Sequence, residues 1–530
     1  MKHLKISTLF FFLFACILLL VGCGECKHEF TDWEVIKAPS CTESGLKISN
    51  CNLCELSKTD SIDPTGHESA LIEAIPPTCI MTGLSEGVKC KTCNMVLEEP
   101  NTTPKGKHNF SDGICSVCSA PYYSEGLIFT LNDDDSSFSV SKGTCKDKNV
   151  VIPDTYDGLP VTRIGEKAFR NLSTMESIII PSTVAYIGPS AFYACSNLKS
   201  MTIPFVGESQ ESSGVSGMFG YIFGEEEYSG STKASQSYSS FFVKSFYIPT
   251  TLTSVTLLSP LKFGCFSGCT TLKEINIPED TTSIPAYAFY GCSSLTEFPI
   301  TPNVTKIGAC AYRSCIQCTN ISLGTKLESI GSEAFWDCDS LIDILVHPDN
   351  QTFKSILGNV YSKDGSILIQ YAVGKSDETF TIPSEVLEIG DEAFATSTHI
   401  KEVVLVNVSK IGASAFFDCI ALAKITMSKS LTTVGGYAFQ NCVSLESVTL
   451  PNGVLNIERY AFSKCTKLKE IFIPSTVITI GEGAFWRSYD LTIYCQHTQQ
   501  PTTWDDEWNL SDCPIYWNKS SIPSSDKDIV

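Results

Sequence analysis

Basic residues are scarce in this sequence. Its 38 lysines and arginines stand against 58 aspartates and glutamates, which gives a formal net charge of −20 at pH 7. Nucleic-acid binding requires clustered positive charge to neutralise phosphates, so the composition argues against a nucleic-acid partner. The excess of acidic groups mainly favours solubility.

Histidine is also rare, with seven in 530 residues. Three belong to the cysteine-containing units described below, and His347, His399 and His497 are scattered along the C-terminal two thirds. None of them stands near a serine or cysteine in the setting of a catalytic nucleophile. The sequence also has no phosphate loop, dinucleotide fingerprint or His-Glu-x-x-His helix. We therefore predict that the protein is not an enzyme.

Long apolar runs are confined to the N-terminus. Lys2 and Lys5 precede an apolar run from Ile6 to Val21, which is the layout of a secretory signal peptide. No later stretch approaches the roughly 20 apolar residues that a membrane span needs. The run ends in Leu20-Val21-Gly22-Cys23, which resembles a bacterial lipobox. This resemblance implies a lipoprotein signal peptide at 1–22 and a lipid on Cys23 that anchors a secreted protein to the membrane at the cell surface. A plain signal peptide or an uncleaved anchor helix are the alternatives.

Cysteine, by contrast, is abundant, and residues 23–120 form a predicted stalk of three Cys/His units. Each full unit has a histidine, a cysteine in a Pro-x-Cys context and a Cys-x-x-Cys turn. Corresponding cysteines of the first two units are 38 or 39 residues apart, and the shortened third unit lacks the middle cysteine. The units contain His28, Cys41, Cys51 and Cys54; His67, Cys79, Cys90 and Cys93; and His108, Cys115 and Cys118.

One histidine and three cysteines form the ligand set of a tetrahedral structural zinc site. Units of this size bury too little apolar surface to fold unaided, so a covalent or metal staple is expected. The recurring histidine favours zinc, because a disulfide makes no use of it. We predict one structural zinc site per unit, with an incomplete ligand set in the third. Disulfides and reactive redox thiols remain the alternatives.

A different period begins near residue 160. An aromatic residue, usually preceded by alanine, recurs with a step of 23 residues, once 22, wherever no insertion intervenes. The segment from Leu445 opens with the alternation of a short strand, and the repeat length is that of leucine-rich repeats. One such unit cannot bury its own apolar face, so stability must come from stacking. The aromatic positions are Phe169, Phe192, Phe266, Phe289, Tyr312, Phe335, Phe394, Phe416, Phe439, Phe462 and Phe485.

Three residues after the aromatic, eight repeats carry a cysteine. Leucine or serine occupies the same position in other repeats, for example Ser488. This replacement favours a small, buried packing site with a free thiol over obligate pairing, although adjacent units could also be linked by disulfides. The eight residues are Cys195, Cys269, Cys292, Cys315, Cys338, Cys419, Cys442 and Cys465.

The repeat closely resembles that of the BspA-type leucine-rich-repeat proteins of bacterial surfaces, from about residue 123 to 517. The resemblance implies a mainly β/α, right-handed solenoid preceded by small Cys/His-stapled β modules. We predict a hairpin that turns at Asp364-Gly365 and a disulfide between Cys495 and Cys513 in the cap. The predicted divisions are an N-terminal opening at 121–165, repeats at 166–490, insertions at 205–247 and 348–380, and a C-terminal cap and tail at 491–530.

An extended solenoid surface favours recognition. BspA-type relatives are associated with adhesion, so the resemblance implies adhesion or protein binding, with host or bacterial surface proteins as partners. The alternatives are a glycan-binding surface lipoprotein, in which Trp336 and Trp486 stack on sugars, and an architectural envelope protein without a specific ligand. Strand residues that alternate with core positions should form the binding face: Asn276, Asn320, Asp343, Glu402, Glu470 and Phe472.

Overall fold

The structure is a computed structural model that describes residues 27–54, 56–77, 82–103, 110–111, 114–115, 123–156 and 158–523. These residues fall into two compact units. The N-terminal unit contains the described residues from Lys27 to Ser111 together with Cys115, and the larger unit contains Ile114 and the described residues from Tyr123 onward. Among the described residues, no helix has the length and apolarity that crossing a membrane requires.

The N-terminal unit consists of short antiparallel β-sheets. The first Cys/His unit forms a sheet of Glu34–Lys37, Gly45–Asn50 and Ser57–Ile62, and the second forms a sheet of Ser69–Ile72, Gly87–Cys90 and Val96–Glu98. Two short pairs accompany them: Gly83–Leu84 with Thr102–Thr103, and Phe110–Ser111 with Ile114–Cys115. These sheets carry the cysteines of the Cys/His units on their loops and strand ends.

The larger unit is a solenoid of parallel strands, in which most repeats contribute one strand to a main stack. Every second strand residue points inward, as Val448, Ile471 and Ile493 do in three consecutive rungs. Backbone pairing between rungs therefore brings equivalent apolar positions together in the core. The strands of the main stack are Asn149–Val151, Ser177–Ile179, Ser200–Ile203, Ser254–Leu257, Glu274–Asn276, Asn320–Leu323, Asp343–Val346, Thr379–Thr381, Glu402–Val404, Lys424–Thr426, Val448–Thr449, Glu470–Ile473, Thr492–Cys495 and Ile515–Tyr516.

A second stack of mostly two-residue strands follows the main strands in most rungs. It is parallel except at the second insertion, where Asn359–Ser362 pairs antiparallel with Ile367–Gln370 around Asp364-Gly365, as the sequence predicts. The strands are Ser283–Ile284, Lys306–Ile307, Ser329–Ile330, Phe353–Ile356, Asn359–Ser362, Ile367–Gln370, Glu388–Ile389, Lys410–Ile411, Thr433–Val434, Asn456–Ile457 and Thr479–Ile480.

Two other sets of strands complete the solenoid. The N-terminal opening pairs Ile128–Leu131, Phe138–Ser141, Leu159–Ile164, Thr155–Tyr156 and Tyr186–Ile187. The first insertion contains 3-10 helices at Gly214–Gly217 and Phe219–Ile222 and a hairpin of Ser231–Ser237 with Val243–Pro249.

The solenoid is mainly β rather than β/α. Among the residues that the structure describes, the helical elements are those two 3-10 helices, and the repeats use tight turns where a helix was expected. The turn around Phe439 shows the reason, because Tyr437 and Asn441 on either side have φ of 59° and 63°. An α-helix cannot accommodate left-handed residues at that spacing.

The recurring Ile-Gly pair makes close contact between rungs possible. A Cβ atom placed on Gly331 would lie 2.5 Å from the backbone nitrogen of Ala309 in the preceding rung, and one on Gly481 would lie 2.5 Å from that of Arg459. Neither glycine has a positive φ angle. Glycine is therefore required by the close approach of the rungs and not by a left-handed backbone conformation.

The recurring aromatic residues form stacks in the core, one from Phe266 to Phe335 and another from Tyr371 to Phe485. The rings of Phe416, Phe439 and Phe462 follow one another with centroids 5.1 Å apart and nearly parallel planes. At the C-terminal end Phe485 meets Trp508 edge to face at 5.9 Å. Trp508, which is 2% exposed, thus closes the stack in the cap region.

The eight cysteines that follow aromatic residues in the repeats are buried free thiols in the structure. The Sγ of Cys442 donates to the backbone oxygen of Phe416 at 3.1 Å, and the Sγ of Cys465 donates to that of Phe439 at 3.2 Å. Ser488, in the same position one rung further on, donates to Phe462 at 2.9 Å. The shared donor role explains why serine can replace cysteine in this row. Burial raises the pKa of these thiols, which keeps them protonated as donors.

The predicted disulfide between Cys495 and Cys513 is not formed in this structure, and both residues are free thiols. Strand pairing aligns Ile493 with Ile515, so Cys513 precedes the strand that lies beside Cys495. Instead, the Sγ of Cys513 donates to the backbone oxygen of Ser488 at 3.4 Å. Cys513 therefore forms a thiol hydrogen bond to Ser488, the last residue of the donor row.

Candidate metal centres and binding face

The first Cys/His group consists of His28, Cys51 and Cys54. Their ligand atoms all lie within 4.8 Å of one another. The Nδ1 atom of His28 is 3.6 Å from the Sγ of Cys51 and 3.5 Å from that of Cys54. Cys51 directly follows the second strand of its sheet and Cys54 lies in the turn after it, so the Cys-x-x-Cys segment directs both sulfurs toward the histidine.

The second group consists of Cys41, His67, Cys90 and Cys93, again within 4.8 Å of one another. The Sγ atoms of Cys41 and Cys90 are 3.5 Å apart, and the Sγ of Cys93 is 3.6 Å from the Nδ1 of His67. Cys41 therefore lies with the ligands of the second unit and not with His28, Cys51 and Cys54. This grouping differs from the predicted one site per unit.

These distances fit a metal site. A tetrahedral ion with Zn–S bonds of about 2.3 Å and Zn–N bonds of about 2.0 Å places its ligand atoms about 3.5–3.8 Å apart. The 3.5 Å between the Sγ atoms of Cys41 and Cys90 far exceeds the roughly 2.05 Å of a disulfide. These Cys/His groups could therefore hold a metal ion.

Backbone N–H groups stabilise the thiolate form at both Cys-x-x-Cys turns. The N–H of Leu53 points at the Sγ of Cys51 at 3.5 Å. This N–H and His28 lower the pKa of Cys51, and the N–H of Cys93 together with His67 lowers the pKa of Cys90. Because metals bind the thiolate, this arrangement prepares the first cysteine of each turn for coordination.

Several predicted site residues lie outside the described side chains. They are Cys23, Cys79, His108, Cys115 and Cys118, and for Cys115 only the backbone strand is described. Lipidation at Cys23 and the third metal site therefore stay predictions from the sequence.

The six predicted binding residues all lie on strands of the main stack, at positions that alternate with the core. Asn276, Asn320 and Glu470 are exposed, whereas Asp343, Glu402 and Phe472 are half-buried. Glu402 already forms an ion pair with Lys424 at 2.7 Å, which leaves its carboxylate less available to a partner. Glu470 and Phe472 lie on the same face of one strand, next to a row of aromatic side chains on the last strands of the solenoid.

An outward aromatic row continues from Phe472 onto the last two strands. Strand pairing aligns Phe472 with Tyr494 and Tyr494 with Tyr516. The two tyrosine rings stack at 5.4 Å, and Tyr516 remains 50% exposed. Partial burial and the nearby Glu470 raise the pKa of Tyr494. The sequence prediction missed both tyrosines, although their alternation with Ile493 and Ile515 could have placed them on this face.

A cleft of about 500 Å³ opens further toward the N-terminus, between Glu274–Asn276 and the segment 296–301. Pro299 lies in the segment that would otherwise form the next strand, and it cannot donate a ladder hydrogen bond. The Tyr312 hydroxyl instead donates to its carbonyl at 2.7 Å. Asn276 thus lines a polar cleft, with Glu274, Glu297 and Thr301 among its neighbours.

The two tryptophans considered for sugar stacking are engaged in packing. Trp336 is 7% exposed and stacks on Phe417 at 5.1 Å. Trp486 meets Tyr460 edge to face at 5.9 Å, with the guanidinium of Arg487 over its ring. Neither side chain belongs to the outward strand face.

Parallel rungs of 23 residues with inward leucine, isoleucine and phenylalanine define a leucine-rich-repeat protein. The sequence profile of the BspA-type leucine-rich repeat region matches in six copies over residues 142–263, 234–364 and 373–492, more than half of the chain. The chain belongs to this BspA-type family.

Solved structures of bacterial leucine-rich-repeat proteins are similar to this chain. A leucine-rich cell surface protein from Faecalibacterium prausnitzii is 26% identical, with 76% of this chain and 98% of that chain covered and a TM-score of 0.46. A leucine-rich repeat protein from Bacteroides ovatus is 21% identical over 74% and 99% of the two chains, with a TM-score of 0.39. The pneumococcal vaccine antigen PcpA is 18% identical over 75% and 98%, with a TM-score of 0.41. A comparison with curated proteins finds no significant match.

Proposed function

We propose that this protein mediates adhesion or protein binding at a bacterial cell surface, without catalysis. The observation that carries this proposal is the outward aromatic row of Phe472, Tyr494 and Tyr516 beside Glu470. Tyrosine offers a large apolar ring and a hydroxyl on a side chain with few rotatable bonds, so it is enriched where proteins meet. Rigid parallel strands hold these rings in register, which lowers the entropic cost of binding.

Binding should depend on the aromatic row. We expect Tyr494→Ala to weaken capture of a surface protein at least tenfold, because central aromatic residues of interfaces typically contribute 2 kcal/mol or more. The measurement is saturable binding of the secreted full-length chain to extracted host matrix and bacterial surface proteins. Tyr489→Ala is the matched control, since Tyr489 is 69% exposed in a turn outside the strand face.

The same measurement separates the alternatives. Equal binding by Tyr494→Ala and the wild-type protein would remove the aromatic row from the proposal. Binding to a glycan array without binding to any protein would replace adhesion to proteins with glycan recognition through Tyr494 and Tyr516. Absence of saturable binding in both formats would leave an architectural role.

We further propose that the chain is exported and anchored by a lipid on Cys23, as the N-terminal sequence indicates. A thioether-linked diacylglycerol on Cys23 would appear as added mass on the N-terminal peptide of the mature protein. An unmodified peptide beginning elsewhere would contradict the anchor.

We also propose that the Cys/His groups of the N-terminal unit hold structural zinc. The sulfur-rich ligand sets and the ligand separations of 3.5–3.6 Å support this choice of metal.

A further inference from the structure

The second metal group crosses the boundary between two Cys/His units. Cys41 lies in the loop between the strands Glu34–Lys37 and Gly45–Asn50 of the first sheet. Its three companions come from the second unit, where Cys90 ends the strand Gly87–Cys90. One cysteine of the first unit therefore completes a ligand set that belongs to the next.

We propose that a zinc ion held by Cys41, His67, Cys90 and Cys93 ties the first Cys/His unit to the second, so that ligand sets are staggered by one unit along the stalk. This inference rests on the structural zinc proposed above. The ion then links neighbouring units of the stalk, and does not only staple each unit internally.

The backbone around Cys41 supports the link. The N–H of Thr65, in the segment that leads to His67, donates to the backbone oxygen of Ser40 at 3.0 Å. The connection between the units thus lies against the loop that carries Cys41. Gly45 closes this loop, since a Cβ there would lie 2.6 Å from the backbone oxygen of Lys37.

The units have little else to fix them. Among the described residues of 27–103, the buried side chains are Cys41, Cys51, Cys90 and Ser49. Apolar side chains that would form a core in a larger domain are exposed, such as Val35 at 55% and Leu71 at 59%. Without an apolar core between two sheets, a shared metal ion is the strongest available contact.

The sequence of the third unit fits the same stagger. In the staggered arrangement, the middle cysteine of each unit binds the ion of the following unit. The last unit has no following unit, so it needs no middle cysteine. The third unit lacks this cysteine, whereas the first and second have it at Cys41 and Cys79. One site per unit gives no reason for the loss.

Two matched variants of the full-length protein separate the arrangements: Cys41→Ser and Cys54→Ser. We measure zinc per chain by mass spectrometry of the metal and locate the change by hydrogen exchange. Each variant should lose one equivalent of zinc. With staggered sites, Cys41→Ser removes amide protection from residues 82–103 and spares the first sheet, whereas Cys54→Ser removes it from residues 27–62 and spares the second.

Other outcomes overturn one proposal or the other. If both variants lose protection in residues 27–62 alone, each unit holds its own ion and the stagger is wrong. If the wild-type protein contains no zinc, the structural zinc itself is wrong. Should Cys41→Ser accumulate poorly, Cys41→His retains a fourth ligand. Zinc is then exchanged for cobalt, whose visible spectrum reports the number of bound thiolates. With staggered sites, Cys41→His should change the same cobalt bands as Cys93→His, because both residues bind the same ion. The bands that Cys54→His changes should stay as they are in the wild-type protein.

Discussion

Removing the metal from the full-length protein is expected to abolish amide protection throughout residues 27–103 while leaving residues 123–523 unchanged. Among the described residues of 27–103, the buried side chains are three cysteines and a serine, in place of an apolar core. Structural zinc contributes about 10–16 kcal/mol to small domains of this kind, which exceeds what such sheets can supply themselves. The solenoid forms a separate compact unit, whose core consists of two large apolar clusters of its own.

The experiment compares hydrogen exchange with and without a chelator, under conditions that keep thiols reduced. Added zinc should restore protection to residues 27–103, and a chelator already saturated with zinc serves as the control. Protection that survives the chelator but disappears with a reductant would indicate disulfides. Protection that survives both would contradict a metal-dependent fold.

The repeated core of this protein can be predicted from its sequence because every rung presents the same side chains to the same neighbours. The 23-residue step places Phe416, Phe439 and Phe462 in one stack, and the structure confirms their contact. The replacement of cysteine by Ser488 similarly predicts a buried row without obligate disulfides. Both inferences depend only on periodicity, which the sequence displays directly.

Features that depend on which rung or unit lies beside another are harder to predict from the sequence. Cys41 belongs to the first unit by sequence, but the loop that carries it lies against the segment leading to His67. Cys495 and Cys513 are close in sequence, yet strand register separates them. The cleft at Pro299 is formed together with the neighbouring strand Glu274–Asn276, so one repeat by itself does not reveal it. The spacing of residues along the chain does not predict these contacts between units and between rungs.

The candidate binding face can be predicted only in part from the sequence. Alternation along the strands correctly places Glu470 and Phe472 outward, because their neighbours Ile471 and Ile473 are buried. It does not show that Glu402 is paired with Lys424, since that ion pair joins two different rungs. Tyr494 and Tyr516 were overlooked because the cap departs from the leucine-rich spacing, although the parallel register continues through it.

Phe439→Ala is expected to destabilise the solenoid by about 3–5 kcal/mol, the cost of truncating a fully buried aromatic residue. Phe439 is 0% exposed, and its ring stacks on Phe416 and Phe462. Its backbone also pairs with the next rung, since its N–H donates to Ala461 at 2.7 Å. The substitution leaves that bond available, so the measured loss reports the side-chain stack. Phe241→Ala is the matched control, because Phe241 is 90% exposed at the hairpin of the first insertion and its removal should change stability by less than about 0.5 kcal/mol.

The position of the loss is as informative as its size. In a solenoid each rung contacts only its neighbours, so stability is the sum of local units and their interfaces. Hydrogen exchange in increasing urea should therefore show Phe439→Ala losing protection first in the rungs from Phe416 to Phe462. The N-terminal rungs around Phe192 should keep wild-type exchange rates until higher urea. A uniform loss from residue 123 to 523 would mean that the array unfolds as one cooperative block, and would contradict nearest-neighbour stabilisation. A loss below about 1 kcal/mol would show instead that neighbouring rungs close over the cavity.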